Sequence, residues 1–172
     1  MGSWVLGLVA VLVVAGLAVA LVGSAVRRTV TRQEAGLPPL PGCPPAGTPL
    51  LSAEARYLGT TFAPSTVRRF NGHGLLGRGV VGLALEDGGL RVERAGGPWC
   101  ISAADLRGVE VTSHHAGKEV YADKVLVVDW QLGPATLRSG FALDEETAPT
   151  WAARLSPLVP RRGSGNPGGV PR

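Results

Sequence analysis

A chain of 172 residues has room for one small domain of about a hundred residues beside an anchor, and its length excludes a second. Its net charge of +4 and pI near 9.7 suggest nucleic acid, but Ala35 to Leu158 holds 11 Lys plus Arg against 12 Asp plus Glu, so a basic nucleic-acid-binding domain is disfavoured. The two cysteines, Cys43 in a Pro-rich stretch and Cys100 in an apparent strand, exclude a disulfide framework and a zinc spacing.

The first element is apolar. Trp4 to Val26 contains no charged residue and ends on Arg27 and Arg28. At about 1.5 Å of rise per residue a helix over this run spans roughly 35 Å, enough to cross a hydrocarbon core of about 30 Å. Residues 1–28 are therefore read as one transmembrane helix with its flanks. Arg27, Arg28 and Arg32 follow the run instead of preceding it, so the positive-inside tendency predicts an N-terminus outside and the C-terminal domain in the cytoplasm. Ala18-Val19-Ala20 resembles a signal-cleavage triplet, but triplets of this kind arise by composition in such a run, and the segment is read as an uncleaved anchor. Gly16, Ala20 and Ser24 recur at four-residue spacing and place small residues on one helix face, candidates for helix association.

Residues 29–50 read as a linker. Glu34 to Leu50, EAGLPPLPGCPPAGTPL, has six prolines in seventeen residues, the composition of a semi-rigid spacer that lifts a domain off the bilayer.

From residue 51 to 158 the signals are those of short strands. Ala55 to Phe62 opens the sheet; Thr66 to Gly79 (TVRRFNGHGLLGRG) is a Gly-rich basic loop or broken strand. Val81, Leu83 and Leu85 alternate with small or polar residues up to Asp87-Gly88-Gly89, and the alternation resumes at Leu90 and Val92, which predicts a β-hairpin. Trp99 to Ile101 is a further strand, Ser102 to Gly108 a helical turn or connection, and Val109 and Val111 begin another alternation. Lys124 to Leu132 puts Leu126, Val128, Trp130 and Leu132 on one face; Ala135 to Leu143 answers it across Gly133-Pro134 with Leu137, Phe141 and Leu143 inward.

The period then changes once. Trp151, Leu155 and Leu158 form a helical stripe, with Asp144 or Thr147 as candidate cap, Pro149 in the first turn and Pro157 at the end. The fold class is mainly β with one N-terminal transmembrane helix: a curled antiparallel barrel or sandwich of about seven strands closed by one C-terminal α-helix. Residues 159–172 are too polar and Gly/Pro-rich to bury anything and read as a disordered tail.

Tyr57-Leu58-Gly59-Thr60-Thr61, Gly72-His73-Gly74-Leu75-Leu76-Gly77-Arg78, Ala116-Gly117-Lys118, Leu126-Val127-Val128-Asp129-Trp130 and Thr136-Leu137-Arg138-Ser139-Gly140-Phe141 carry a family resemblance. With this strand pattern and final helix, the chain resembles small actinobacterial single-pass membrane proteins with a bacterial PH-like domain, some loosely labelled transporter or export proteins. The resemblance covers almost the whole chain to Leu158. It implies a PH-like barrel and brings no catalytic residues.

The chemical candidates are few. Gly72 to Gly77 matches G-x-G-x-x-G, but a strand and not a helix is predicted to follow, so the context of a dinucleotide site is missing. Arg68, Arg69, His73 and Arg78 cluster in that loop and, with juxtamembrane Arg27, Arg28 and Arg32, are candidates for anionic lipid headgroups. His114 and His115 point to opposite faces of a strand and read as ordinary surface, not as metal ligands. Asp129 has no recognisable catalytic partner. No cofactor, metal or reaction is expected, and in a cytoplasmic domain both cysteines should be reduced. The expected function is a non-enzymatic, membrane-anchored binding or scaffold module at the cytoplasmic face, contacting a protein or anionic lipid. The alternative is an accessory subunit of a transporter or export complex assembled through its transmembrane helix.

Overall fold

The computed structural model describes residues 3–115, 118–119 and 124–160. The Leu-, Val- and Ala-rich N-terminus forms helix α1 over Ser3–Glu34, six residues past the boundary expected at 28. It is long and apolar enough to cross a membrane, a property that an N-terminal signal sequence shares. Beyond Val26 it carries Arg27, Arg28 and Arg32 outward for about two further turns, roughly 12 Å.

Among the described residues ten strands follow: β1 (Leu51–Phe62), β2 (Arg69–Phe70), β3 (Gly79–Glu86), β4 (Gly89–Glu93), β5 (Trp99–Ser102), β6 (Leu106–Thr112), β7 (His114–His115), β8 (Lys118–Glu119), β9 (Lys124–Leu132) and β10 (Ala135–Leu143). Eight of them make one antiparallel sheet along the path β5-β4-β3-β1-β10-β9-β6, with β2 paired to β1, and β7 and β8 pair as a separate two-stranded sheet. The expected count of about seven strands is thus exceeded, and the sheet is an open path. β1 organises it. Its first half pairs with β3 through Tyr57↔Gly79, its second half with β2 at Thr60 and Thr61, and β10 runs along its other edge. A register shift between Tyr57 and Gly59, where Gly59 has φ 118°, bends β1 between these partners.

The hairpin expected at Asp87-Gly88-Gly89 forms with Glu86 opposite Gly89. A Cβ on Gly89 would lie 2.1 Å from the Ile101 carbonyl, so β5 crosses too close for any side chain there. Leu126, Val128, Trp130 and Leu132 share the core with Leu137, Phe141 and Leu143, as their alternation requires. Trp99 stacks on Trp130 at 5.5 Å and on Phe141 at 6.3 Å, which gives the core a rigid aromatic centre. Tyr57, Thr60, Ser139 and Trp130 thread it with buried hydrogen bonds: Tyr57 to Thr60 at 2.6 Å, Thr60 to Ser139 at 2.7 Å, and Trp130 Nε1 donating to Ser139 at 3.0 Å.

The connection Ser102 to Gly108 contains a 3₁₀ turn over Ala103–Asp105, capped by the Ser102 hydroxyl. Helix α2 (Thr147–Leu155) packs on β6, β9 and β10 through Ala148, Trp151 and Leu155, with Leu158 at the core margin. Its N-cap is Glu146, which makes no side-chain cap bond; the Asp144 carbonyl receives the Thr147 and Ala148 amides instead. Pro157 falls in a 3₁₀ turn after the helix stops.

Three expectations are corrected. Residues 37–50 are not a stand-off spacer but a strap bound along the domain. Leu37 and Leu40 pack against the core, Pro38 sits over Gly133, the Pro44 carbonyl accepts from Arg91 Nη2 at 2.5 Å, and the Leu50 amide donates to the Leu85 carbonyl. Cys43 and Cys100, expected as separate thiols, are joined in this structure by a disulfide with a Cα separation of 5.2 Å across 57 residues of sequence. His115 is not surface. It is 1% exposed, its ring fills the space over Gly140, and its Nε2 meets the Gly59 carbonyl at 3.2 Å. There it flanks a small second cluster, Leu58, Val125, Val127 and Ala142, on the sheet face opposite the main core. The expected tail beyond residue 160, Ala116-Gly117 and residues 120–123 lie outside the described residues.

Candidate functional site at the helix and loop junction

The predicted basic loop and the end of α1 come together. Gln33 uses its side-chain amide as a strand uses a peptide group: Nε2 donates to the Arg69 carbonyl at 3.0 Å and Oε1 accepts from the Asn71 amide at 2.8 Å. Glu34 continues the contact by accepting from the His73 amide at 2.5 Å, with its carboxylate 3.9 Å from His73 Nδ1. A Cβ on Gly72 would stand 2.8 Å from Glu34 Cγ and 2.8 Å from Phe70 Cζ, so glycine admits the helix end here. His73 and Gly74 follow with φ 51° and 72°, a tight left-handed bend, and Gly77 has φ 102°. The G-x-G-x-x-G pattern therefore serves close approach and turning, and it leads into strand β3.

The basic candidates divide by position. Arg27, Arg28 and Arg32 are exposed on α1 between the apolar run and the loop. Arg68 places its guanidinium 4.7 Å from the centre of the Phe62 ring, and Phe62 meets Phe70 edge-on at 5.4 Å. Arg69 lies on β2, with its carbonyl held by Gln33. Arg78 donates through Nε to the Leu58 carbonyl at 3.0 Å. His73 faces Glu34 and the Phe70 ring.

One residue missed in the sequence joins them. Arg94, just after β4, donates through Nη2 to the Gly74 carbonyl, and its Nε, like His73 Nε2, is buried without a hydrogen-bond partner. Arg78 and Arg94 flank a cleft of about 350 Å³ lined also by Tyr57, Leu76 and Val80. Burial raises the Tyr57 phenol to about 12, while its Thr60 hydrogen bond and the Arg94 charge work the other way, so the phenol is neutral at physiological pH. The signal for Arg94 was the Glu93-Arg94-Ala95-Gly96-Gly97 turn, but only the β1-β3-β4 pairing brings that turn beside the loop. Val67, Leu76 and Val80 are exposed on the same segment. The arrangement offers apolar side chains and arginines beside the polar end of α1, which is the chemistry of a bilayer interface.

The remaining candidates sit elsewhere. Gly16, Ala20 and Ser24 lie exposed on α1, with nothing within 4 Å of a Cβ at Gly16. Asp129 is held by Arg138 in two 2.7 Å bonds, and Arg138 Nη1 also lies 3.4 Å from Glu110 Oε1 on β6, so the Asp129 carboxylate belongs to a cross-strand ion pair. Asp129 and, secondarily, Glu110 raise the Arg138 pKa further above its ordinary value. Among the described residues no group of three His, Cys, Asp or Glu is placed to hold a metal ion.

Residues 35–156 match the family described as Bacterial PH domain-like. No curated protein and no solved structure matches the chain.

Proposed function

The chain belongs to the bacterial PH domain-like family, and from that premise we propose that it is a non-catalytic binding and scaffold module, anchored by α1 and held against the surface of the membrane that α1 enters. The observation that carries this reading is the bonding of Gln33 and Glu34 to Arg69, Asn71 and His73. A helix end bonded to the loop keeps the loop roughly 12 Å along the helix from the end of the apolar run, a distance on the order of a Debye length. Arg68, Arg69 and Arg78, with Arg27, Arg28 and Arg32, then meet anionic lipid, or an acidic protein surface gathered at the same membrane, whereas His73, expected among them, is turned inward onto Glu34 and Phe70. The juxtamembrane arginines favour the cytoplasmic face for the domain.

The test uses the full chain in lipid nanodiscs, either purely zwitterionic or containing an anionic phospholipid, with hydrogen exchange read over residues 63–80. Anionic lipid is expected to slow exchange in this segment, and Arg68→Glu to abolish the difference without lowering the thermal midpoint. Equal exchange in the two lipids would overturn lipid contact.

A second reading is an accessory subunit of a transporter or export complex assembled through α1. It is favoured by the small-residue face of Gly16, Ala20 and Ser24, left open to an approaching helix. Replacing all three with Leu is expected to abolish co-purification of a membrane partner; unchanged assembly with an unrelated anchor would discard it.

A further inference from the structure

The Cys43–Cys100 bond joins two parts of the domain that little else holds together. Between Leu40, packed on the core, and Leu50, bonded to Leu85, the strap residues Pro41, Gly42 and Pro44 to Thr48 are exposed. Among the described contacts, the noncovalent ties of this stretch are the Arg91 bond to the Pro44 carbonyl and a backbone bond from Gly47 to Glu86. Beneath the strap lies a cavity of about 280 Å³, walled by Leu90, Ile101 and Arg91 below and by Pro41 and Pro44 above. Both cysteines are half-buried and within reach of a small thiol reagent.

The flanking arginines favour a reducing compartment, whereas the geometry brings the cysteines to bonding distance. In reducing compartments a disulfide is typically transient and redox-sensing. We propose that Cys43 and Cys100 form a thiol-redox latch that closes the strap over this cavity. The proposal rests on the cytoplasmic placement above. The oxidant is a small-molecule disulfide of the cytoplasmic thiol pool. One cysteine thiolate attacks it, forming a mixed disulfide and releasing one small thiol. The other cysteine thiolate then displaces the second small thiol and closes the Cys43–Cys100 bond. Two electrons pass to the oxidant, whose two sulfurs leave as thiols carrying the two protons that the cysteines give up. Reduction by the same pool runs the exchange backwards. Leu40 and the Leu50 bond then keep the strap tethered at both ends, so the cavity opens and the fold persists.

The test traps thiols in intact cells by acid quench and alkylation with a mass-tagged maleimide, before and after a pulse of diamide. Two tags are expected on the full chain before the pulse and none after it, with an intact mass that shows the internal bond and no small-thiol adduct; Cys43→Ser and Cys100→Ser should each carry one tag before the pulse and a small-thiol adduct in its place afterwards. On purified full chain in detergent, a broad-specificity protease should cut residues 41–49 about tenfold faster in the reduced form. Two tags after the pulse, or equal cutting of both forms, would overturn the latch. A bond already present in unstressed cells would also overturn it and mark a static staple. Labelling of reduced Cys43 by a membrane-impermeant maleimide in intact cells would separately remove the cytoplasmic placement.

Discussion

The carboxylate of Glu34, at the end of the apolar helix, accepts a hydrogen bond from the backbone amide of His73 at 2.5 Å. Through this contact and the two bonds of Gln33, the end of α1 is joined to the loop that follows β2.

Gly72→Ala should break that joint, because the new methyl would stand 2.8 Å from both Glu34 Cγ and Phe70 Cζ. Phe70 is fully buried and cannot yield cheaply. A loss of about 1–3 kcal/mol is expected, with faster hydrogen exchange at the Asn71 and His73 amides. Gly36→Ala, with open space around it, is the control and should change neither.

Reduction of the Cys43–Cys100 bond should lower domain stability by about 4 kcal/mol, the chain-entropy value for a loop of this size. Denaturant unfolding with and without reductant measures it. A difference under about 1 kcal/mol would show that Leu37 and Leu40 already restrain the strap as well as the bond does.

His115 should make stability depend on mildly acidic pH. Burial lowers its imidazole pKa below the ordinary value, a shift that the Gly59 carbonyl bond only partly opposes. The unfolded chain therefore takes up a proton near pH 6.5 that the folded chain refuses, and stability is lost as pH falls through that value towards the folded one. The slope is at most about 1.4 kcal/mol per pH unit. His115→Gln should flatten the profile between pH 7 and 5.5. Glu86, whose pKa is lowered mainly by its Arg91 hydrogen bonds, acts in the same direction as His115, its contribution being lost as pH falls through the more acidic carboxylate range.

Asp129→Asn should cost about 1–3 kcal/mol, since it leaves Arg138, 19% exposed, with Glu110 as its remaining carboxylate. Chemical denaturation of the domain checks this. No loss would mean that Glu110 moves in to replace the pair.

Sequence alone determined the elements whose cause is local. The apolar run dictated α1 by its length and composition, while period-2 alternation around Asp87-Gly88-Gly89 and Gly133-Pro134 dictated two hairpins and Trp151 and Leu155 dictated α2, because those patterns report which face of one segment is buried; Leu158 falls beyond α2, in the 3₁₀ turn. The basic loop was legible as a cluster because Arg68, Arg69, His73 and Arg78 are neighbours in the chain. Tertiary structure decided everything that depends on segments meeting from afar. A run rich in proline looks like a spacer until Leu40 finds the core and Cys43 finds Cys100, 57 residues away. Arg94 reaches the loop only because β4 pairs with β3, Asp129 acquires Arg138 only because β9 pairs with β10, and His115 is buried only because its strand folds onto Gly140. Composition and periodicity carry no information about such encounters, whose closure depends on the path of the whole sheet.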